Sequence, residues 1–194
     1  MLKVGLTGNM GSGKTTVARI FEVIGIPVFY ADAEAKKLME QDQSLRDEIV
    51  KALGPESYKG SQPNRKYIAQ IVFNDPEKLS ILNGLIHPAT ITQAVKWMDR
   101  QSAPFAIKEA AILFESNSHK KLDFVIGVQS PEDLRIERIK QRDNLSPEEI
   151  KARMIQQMRE DDKMKLCDFV INNDECHSLI EQVLNVYKLL LDKG

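Results

Sequence analysis

One octapeptide carries the clearest chemistry in this chain. Gly8-Asn9-Met10-Gly11-Ser12-Gly13-Lys14-Thr15 fits the phosphate-loop pattern G-x-x-x-x-G-K-[ST]. Glycines let such a loop curl until successive backbone N–H groups converge on phosphate oxygens. A helix opening at Lys14 adds the partial positive charge of its N-terminus. In this arrangement Lys14 reaches the β- and γ-phosphates and the Thr15 hydroxyl ligates Mg²⁺. Thr16 adds a hydroxyl near the α-phosphate. The expected ligand is a nucleoside triphosphate.

Three further features bear on what is done with the terminal phosphate. Asp32 follows the apolar run Pro27–Phe29. In open α/β sheets ligands sit beyond the carboxyl ends of strands, so Asp32 is a candidate to orient and deprotonate an acceptor hydroxyl. It is equally a candidate N-cap for a helix over Ala33–Met39. Arg135, Arg138 and Arg142 fall at helical spacings of three and four, with Arg153 further on. They read either as a lid of guanidinium groups over phosphates or as a solvated face, since Glu137, Asp143, Glu148 and Glu149 intersperse. Glu109, ending Phe105-Ala106-Ile107-Lys108-Glu109, reads as a Mg²⁺ contact through water or as a surface acid. No Asn-Lys-x-Asp pattern for guanine is present.

The elements that must position these residues alternate. Short apolar runs bounded by turn residues predict strands at Leu2–Leu6, Pro27–Phe29, Phe105–Ile107, Phe124–Val128 and Phe169–Ile171. Their lack of polar alternation suits a five-stranded parallel sheet covered on both faces. Val17, Ile20, Phe21 and Ile24 predict a helix over Lys14–Ile24. Ser130-Pro131-Glu132-Asp133 and Ser146-Pro147-Glu148-Glu149 read as capped helix starts, the second with a capping box. Asp75-Pro76 opens another helix, and Leu179–Leu191 is a closing amphipathic one. From about Ala33 to Ala103 no convincing strand appears, and helical patterns surround a turn-rich patch from Gly54 to Asn64. That interval is too long for one crossover and predicts an inserted helical subdomain for a second substrate.

The remaining composition narrows the class. The 194 residues hold 27 Lys+Arg against 28 Asp+Glu, so no basic excess favours a duplex nucleic acid. Cys167 and Cys176 are too few for a disulfide framework or a four-cysteine zinc site, and point to reduced thiols in the cytoplasm. No 18-residue apolar run predicts a membrane span, and the N-terminus does not read as a signal peptide.

In order along the chain, these motifs resemble the dephospho-coenzyme A kinase family. Gly5 to Thr16 resembles its phosphate loop. Ala31-Asp32 is similar to the end of its Asp-Ala-Asp motif, and Arg65 with Ile71-Val72-Phe73 to its Arg…Val-Phe segment. His87-Pro88, Ile112-Leu113-Phe114-Glu115, and Arg138, Arg142, Arg153 and Gln157 resemble its later blocks. Asp168 to Asn173 resembles its closing strand. Tyr30 stands in place of the motif's first Asp, Glu109 and Ala111 in place of an Asp and a Pro, and Arg135 where Gln is common. The resemblance implies a three-layer α/β phosphate-loop NTPase fold with a helical insertion and a short helical lid. The core would be 1–32, 104–137 and 154–194, the insertion 33–103 and the lid 138–153. It implies ATP and Mg²⁺, with dephospho-CoA phosphorylated on its ribose 3′-hydroxyl. Asp32 would act as base, aided by Lys14, Arg138 and Arg142. Asn173 would contact adenine, and Arg65 and His87 the acceptor. His87 reads alternatively as fixing a turn at Pro88. The rival readings are a kinase for another small molecule, such as a nucleoside monophosphate or shikimate, and a nucleotide-binding module without catalysis.

Overall fold

The first apolar run becomes β1, Leu2–Thr7, and passes directly into the phosphate loop and helix α1, Lys14–Val23. The computed structural model describes residues 1–143, 146–155 and 157–194. Two compact units are present, Met1–Tyr30 with Trp97–Gly194, and Ala31–Lys96.

The first unit contains the five-stranded sheet. After β1 come β2 (Val28–Tyr30), then, beyond the second unit and its two short strands β3 (Tyr58–Lys59) and β4 (Gln62–Pro63), β5 (Phe105–Glu109), β6 (Phe124–Gln129) and β7 (Phe169–Asn172). The order is β2-β5-β1-β6-β7 and every pairing is parallel. Register puts Leu6 level with Glu109 and Ile126, and Glu109 level with Tyr30, so the carboxyl ends of the strands share one edge. The predicted strands are all present. Several extend further at that edge, because polar residues there are paired in the ladder although they break the apolar run. One face, with Val4, Leu6, Phe105, Ile107 and Ile126, packs against Val17 and Phe21 of α1 and Val183 and Leu190 of α9, Leu179–Leu191. Phe21 meets Phe105 edge-on at 6.1 Å. Removing that fully buried ring should cost about 3–5 kcal/mol. A side chain at Gly5 or Gly127, on the other face, would meet Leu113 and Leu122, or Met164 and Cys167. Helix–sheet–helix layering is therefore the architecture, as expected.

The second unit is mostly helical: α2 (Ala31–Gln41), α3 (Gln43–Leu53), α4 (Arg65–Asn74) and most of α5 (Pro76–Met98). Leu45, Ile49, Leu53, Tyr58, Ile68 and Leu82 form its own core. Asp42 caps α3 by accepting from Leu45 N–H at 3.0 Å, and Asp75 Oδ1 accepts from Glu77 and Lys78 N–H at the start of α5. The turn-rich patch holds a hairpin that the sequence pattern did not predict, β3 (Tyr58–Lys59) against β4 (Gln62–Pro63). Two residues per strand are too few for a periodic signal.

Three local expectations are corrected. Helix α2 begins at Ala31, so Asp32 lies in its first turn and is not an N-cap preceding Ala33. His87-Pro88 makes no turn, because Pro88 lies inside α5 with Gly84 four residues before it. Helix α6 runs Glu132–Asp143 with the Pro131 carbonyl taking the Arg135 N–H, and the Ser130 hydroxyl accepts from Arg138 instead of opening the helix. The second capping box does form. Glu149 N–H donates to Ser146 Oγ and Ser146 N–H to Glu149 Oε2, at the head of α7, Pro147–Ile155. Asn144 and Leu145, in the loop expected between these helices, lie outside the described residues. Helix α8 (Glu160–Lys165) leads into β7.

The outer edge of β7 is finished by a side chain. Gln182 of α9 accepts from Asn172 N–H at 2.8 Å and donates to the Asn172 carbonyl at 2.9 Å. Among the described residues no helix is long and apolar enough to cross a membrane.

Candidate active site

The phosphate loop is held from three sides. Gly11, at φ 80°, lies against the Arg135 backbone of α6, where an added Cβ would come within 2.6 Å of the carbonyl oxygen. Gly13, at φ 92°, lies against the Asn173 amide, which leaves no space for a Cβ. Both positions combine a left-handed backbone with a close approach, so the sequence has glycine for two reasons at each. Asn173 Nδ2 donates to the Ser12 carbonyl at 2.8 Å. On the third side, Met10 N–H donates to Gln157 Oε1 at 2.9 Å, and Asn9 Nδ2 to the Met158 carbonyl at 3.0 Å. The Lys14 ammonium bends back over the loop and donates to the Gly8 and Asn9 carbonyls at 2.9 and 3.3 Å. Thr15 and Thr16, in the first turn of α1, are exposed. Asn9 Oδ1 and Ser12 Oγ are buried with no hydrogen-bond partner among the described residues.

The arginines of α6 differ in depth, which their spacing does not reveal. Arg135 is buried and faces Glu160 at 3.6 Å and Glu132 at 3.7 Å, so it is not part of a solvated face. Burial holds the Glu160 carboxyl above its ordinary range, opposed by the Arg135 charge. Arg138 is half-buried and does join the loop's surroundings. Its guanidinium donates to Ser130 Oγ at 3.0 Å, to the Asn173 carbonyl at 3.4 Å and to Glu175 at 3.0 Å. Arg142 is exposed and makes a two-pronged pair with Asp143, both bonds 2.7 Å. That pair raises the Arg142 pKa and lowers that of Asp143. The structure therefore brings Arg138 and Asn173 to the loop, and leaves Arg142 on its own helix end. Arg153 is exposed on α7.

Other expected site residues take these places. Glu109 is buried at the end of β5, not a surface acid. In the second unit, Asp32 stands two residues beyond Tyr30, the last residue of β2. Arg65, the first residue of α4, pairs with Glu40 at 2.8 Å. His87 is half-buried within α5.

The dephospho-CoA kinase family model matches residues 2–178. The chain belongs to the dephospho-CoA kinase family. A dephospho-CoA kinase of Chlorobium chlorochromatii is 41% identical over 202 residues, covering 100% of this chain and 95% of that protein. One of Bacteroides fragilis is 36% identical over 193 residues, covering 99% and 94%. Among solved structures, a dephospho-CoA kinase from Campylobacter jejuni superposes with TM-score 0.72 at 28% identity, covering 98% of each chain. Shikimate kinase from Acinetobacter baumannii, with TM-score 0.60 at 17% identity and coverage of 100% and 95%, shares the fold alone.

Within this dephospho-CoA kinase site, two residues of the sequence motifs acquire contacts that no local pattern announces. Gln157 reaches Met10 across 147 positions. Glu115 accepts from Met158 N–H at 3.1 Å and pairs with Lys163 at 2.9 Å. Lys163 is fully buried and also donates to the Ala111 carbonyl at 2.9 Å. Burial alone would raise the Glu115 carboxyl, but bonds from Lys163 and Met158 hold it below its ordinary range. Both residues are legible in sequence only as members of blocks that recur in order.

Proposed function

We propose that this protein transfers the γ-phosphoryl group of ATP to the ribose 3′-hydroxyl of dephospho-CoA, giving CoA and ADP, in the cytoplasm. The observation that carries the reading is the family match over residues 2–178, which spans both the phosphate-loop unit and the helical unit Ala31–Lys96. A shikimate kinase likeness at 17% identity supports only the sheet and loop.

The residues divide the work by their chemistry. Backbone N–H groups of the loop from Gly8 to Thr16, except that of Met10, which Gln157 holds, cradle the polyphosphate, and the α1 N-terminus favours its charge. Lys14 exchanges its bonds to the Gly8 and Asn9 carbonyls for the β- and γ-phosphate oxygens, a short swing of a flexible side chain. Asn173, which lies against Gly13, contacts the adenine in this reading. Asp32 accepts the 3′-hydroxyl proton and aligns that oxygen with the phosphorus. Arg138 and Arg142 neutralise equatorial phosphoryl charge, Arg142 after leaving Asp143. Arg65 and His87 of the helical unit contact the acceptor.

Mg²⁺ fits the donors available. The exposed Thr15 hydroxyl is a hard oxygen ligand, and Mg²⁺ ordinarily takes few protein ligands with phosphate oxygens and water. When bound through Thr15 it supplies charge neutralisation on the β- and γ-phosphates.

The deciding assay incubates the protein with Mg-ATP and separately with dephospho-CoA, AMP, CMP and shikimate, following ADP release. ADP formation with dephospho-CoA alone is the expected outcome. No ADP above background with that acceptor refutes the reading.

A further inference from the structure

The segment that follows α7 is tied to the phosphate loop by bonds that involve neither Lys14, Asp32 nor the arginines of the proposed transfer step. Gln157 Oε1 accepts from Met10 N–H at 2.9 Å, and the Met158 carbonyl accepts from Asn9 Nδ2 at 3.0 Å. The same Met158 donates its N–H to Glu115 Oε1 at 3.1 Å. Glu115 is in turn fixed by Lys163, whose ammonium is fully buried and also bonded to the Ala111 carbonyl. Residues 157 and 158 thus stand between the Glu115–Lys163 pair, whose lysine is buried, and the apex of the loop. They come immediately after the helices that carry Arg138, Arg142 and Arg153.

An amide side chain in this place has a particular consequence. Its carbonyl oxygen is an acceptor of no net charge, so it can hold a loop N–H beside a polyphosphate without repelling it. A carboxylate would hold the same N–H but place a negative charge there. A side chain without an acceptor would leave the Met10 N–H to water or to a misplaced phosphate oxygen. Transfer rates are sensitive to displacements of about 1 Å between reacting groups, so a fixed relation between loop and arginine-bearing helices bears directly on turnover.

We infer that Gln157 is a positioning residue for phosphoryl transfer: its side-chain carbonyl, bonded to Met10 N–H, registers the end of the α6–α7 segment against the phosphate loop. The inference rests on the reading of this site as a dephospho-CoA kinase. Gln157 acts through the loop and the arginines and touches no reacting atom.

The test compares the full-length protein with Gln157→Met, which keeps the length and removes the acceptor, and Gln157→Glu, which keeps an acceptor. Amide exchange at Met10 and along α7 is read by NMR, beside initial rates with Mg-ATP and dephospho-CoA. In Gln157→Met, exchange at Met10 and along α7 should rise about tenfold or more. The kcat of that variant should fall about tenfold or more, with the KM for ATP moving less than about threefold. Gln157→Glu should keep Met10 exchange within about threefold of the wild type. Wild-type exchange at Met10 in Gln157→Met overturns the inference, as does wild-type kcat there. If Gln157→Met does not fold, Gln157→Ser, too short to reach Met10, takes its place with the same expected outcomes. A wild-type protein that leaves dephospho-CoA unphosphorylated refutes the functional reading separately, and Met10 and α7 exchange still decide whether Gln157 registers the loop.

Discussion

The Asn173 amide bonds the Ser12 carbonyl at 2.8 Å, joining the end of the last strand to the loop after the first. The Asn173 carbonyl meanwhile receives Arg138, so one residue spans the loop and the arginine helix. Asn173→Asp would turn the donor into a carboxylate facing the Ser12 carbonyl, an uncompensated repulsion beside the phosphates. The KM for ATP should rise about tenfold or more, with kcat at saturation changing less. Steady-state kinetics over an ATP series check this. An unchanged KM would mean that the bond does not hold the loop.

Gly13→Ala tests the crowding from the loop's own side. A Cβ there would collide with the Asn173 amide and strain a backbone at φ 92°. Nucleotide affinity by calorimetry with ADP should weaken about tenfold or more, because both the loop and Asn173 must shift. Retained affinity would contradict the fit between these residues.

Asp32→Asn separates a base from an acid that serves only the helix dipole. Asp32 lies in the first turn of α2, where an acid gains a few tenths of a kcal/mol, up to about 1, from the helix dipole. If it accepts the acceptor proton, kcat should fall about 10²-fold or more while ATP binding stays near wild type. Rates at saturating ATP and ADP affinity together check this. A wild-type rate would leave Asp32 only its place in the helix.

Lys108 should make stability depend on pH. It is buried on β5, level with Gly5 and Phe29, and burial lowers its pKa to about 8. The unfolded chain keeps that proton to about pH 10.4, so between about 8 and 10.4 the unfolded state holds more protons. Stability attributable to this group therefore rises with pH across that window. Lys108→Met should stabilise the protein by about 1–3 kcal/mol at pH 7, the gain fading above pH 8. Urea unfolding at pH 7, 8 and 9.5 measures it. A gain that does not vary with pH would assign the effect to packing alone.

The legible parts of the fold were those with local physical causes. The glycine spacing of the loop, the Ser146–Glu149 box and the Asp75 helix start each act within a few residues, and each formed. Strand ends were less legible, because Lys108 and Glu109 are charged yet buried in the ladder. Arginine depth was hidden for a related reason: spacing fixes direction around a helix, not distance from the core. Arg135 and Arg142 share a face, and one is buried while the other pairs with Asp143 at the surface. Gln157–Met10 and Glu115–Met158 were invisible, since nothing in either short segment names a partner so far along the chain.

The Gln182 side chain gives β7 what a sixth strand would give: an acceptor for Asn172 N–H and a donor for its carbonyl. A sheet margin supplied in this way has little left to offer the backbone of a second molecule at that residue. At the opposite margin, β2 is only three residues long. A strand arriving at β7 would therefore have to displace Gln182 before it could pair with Asn172.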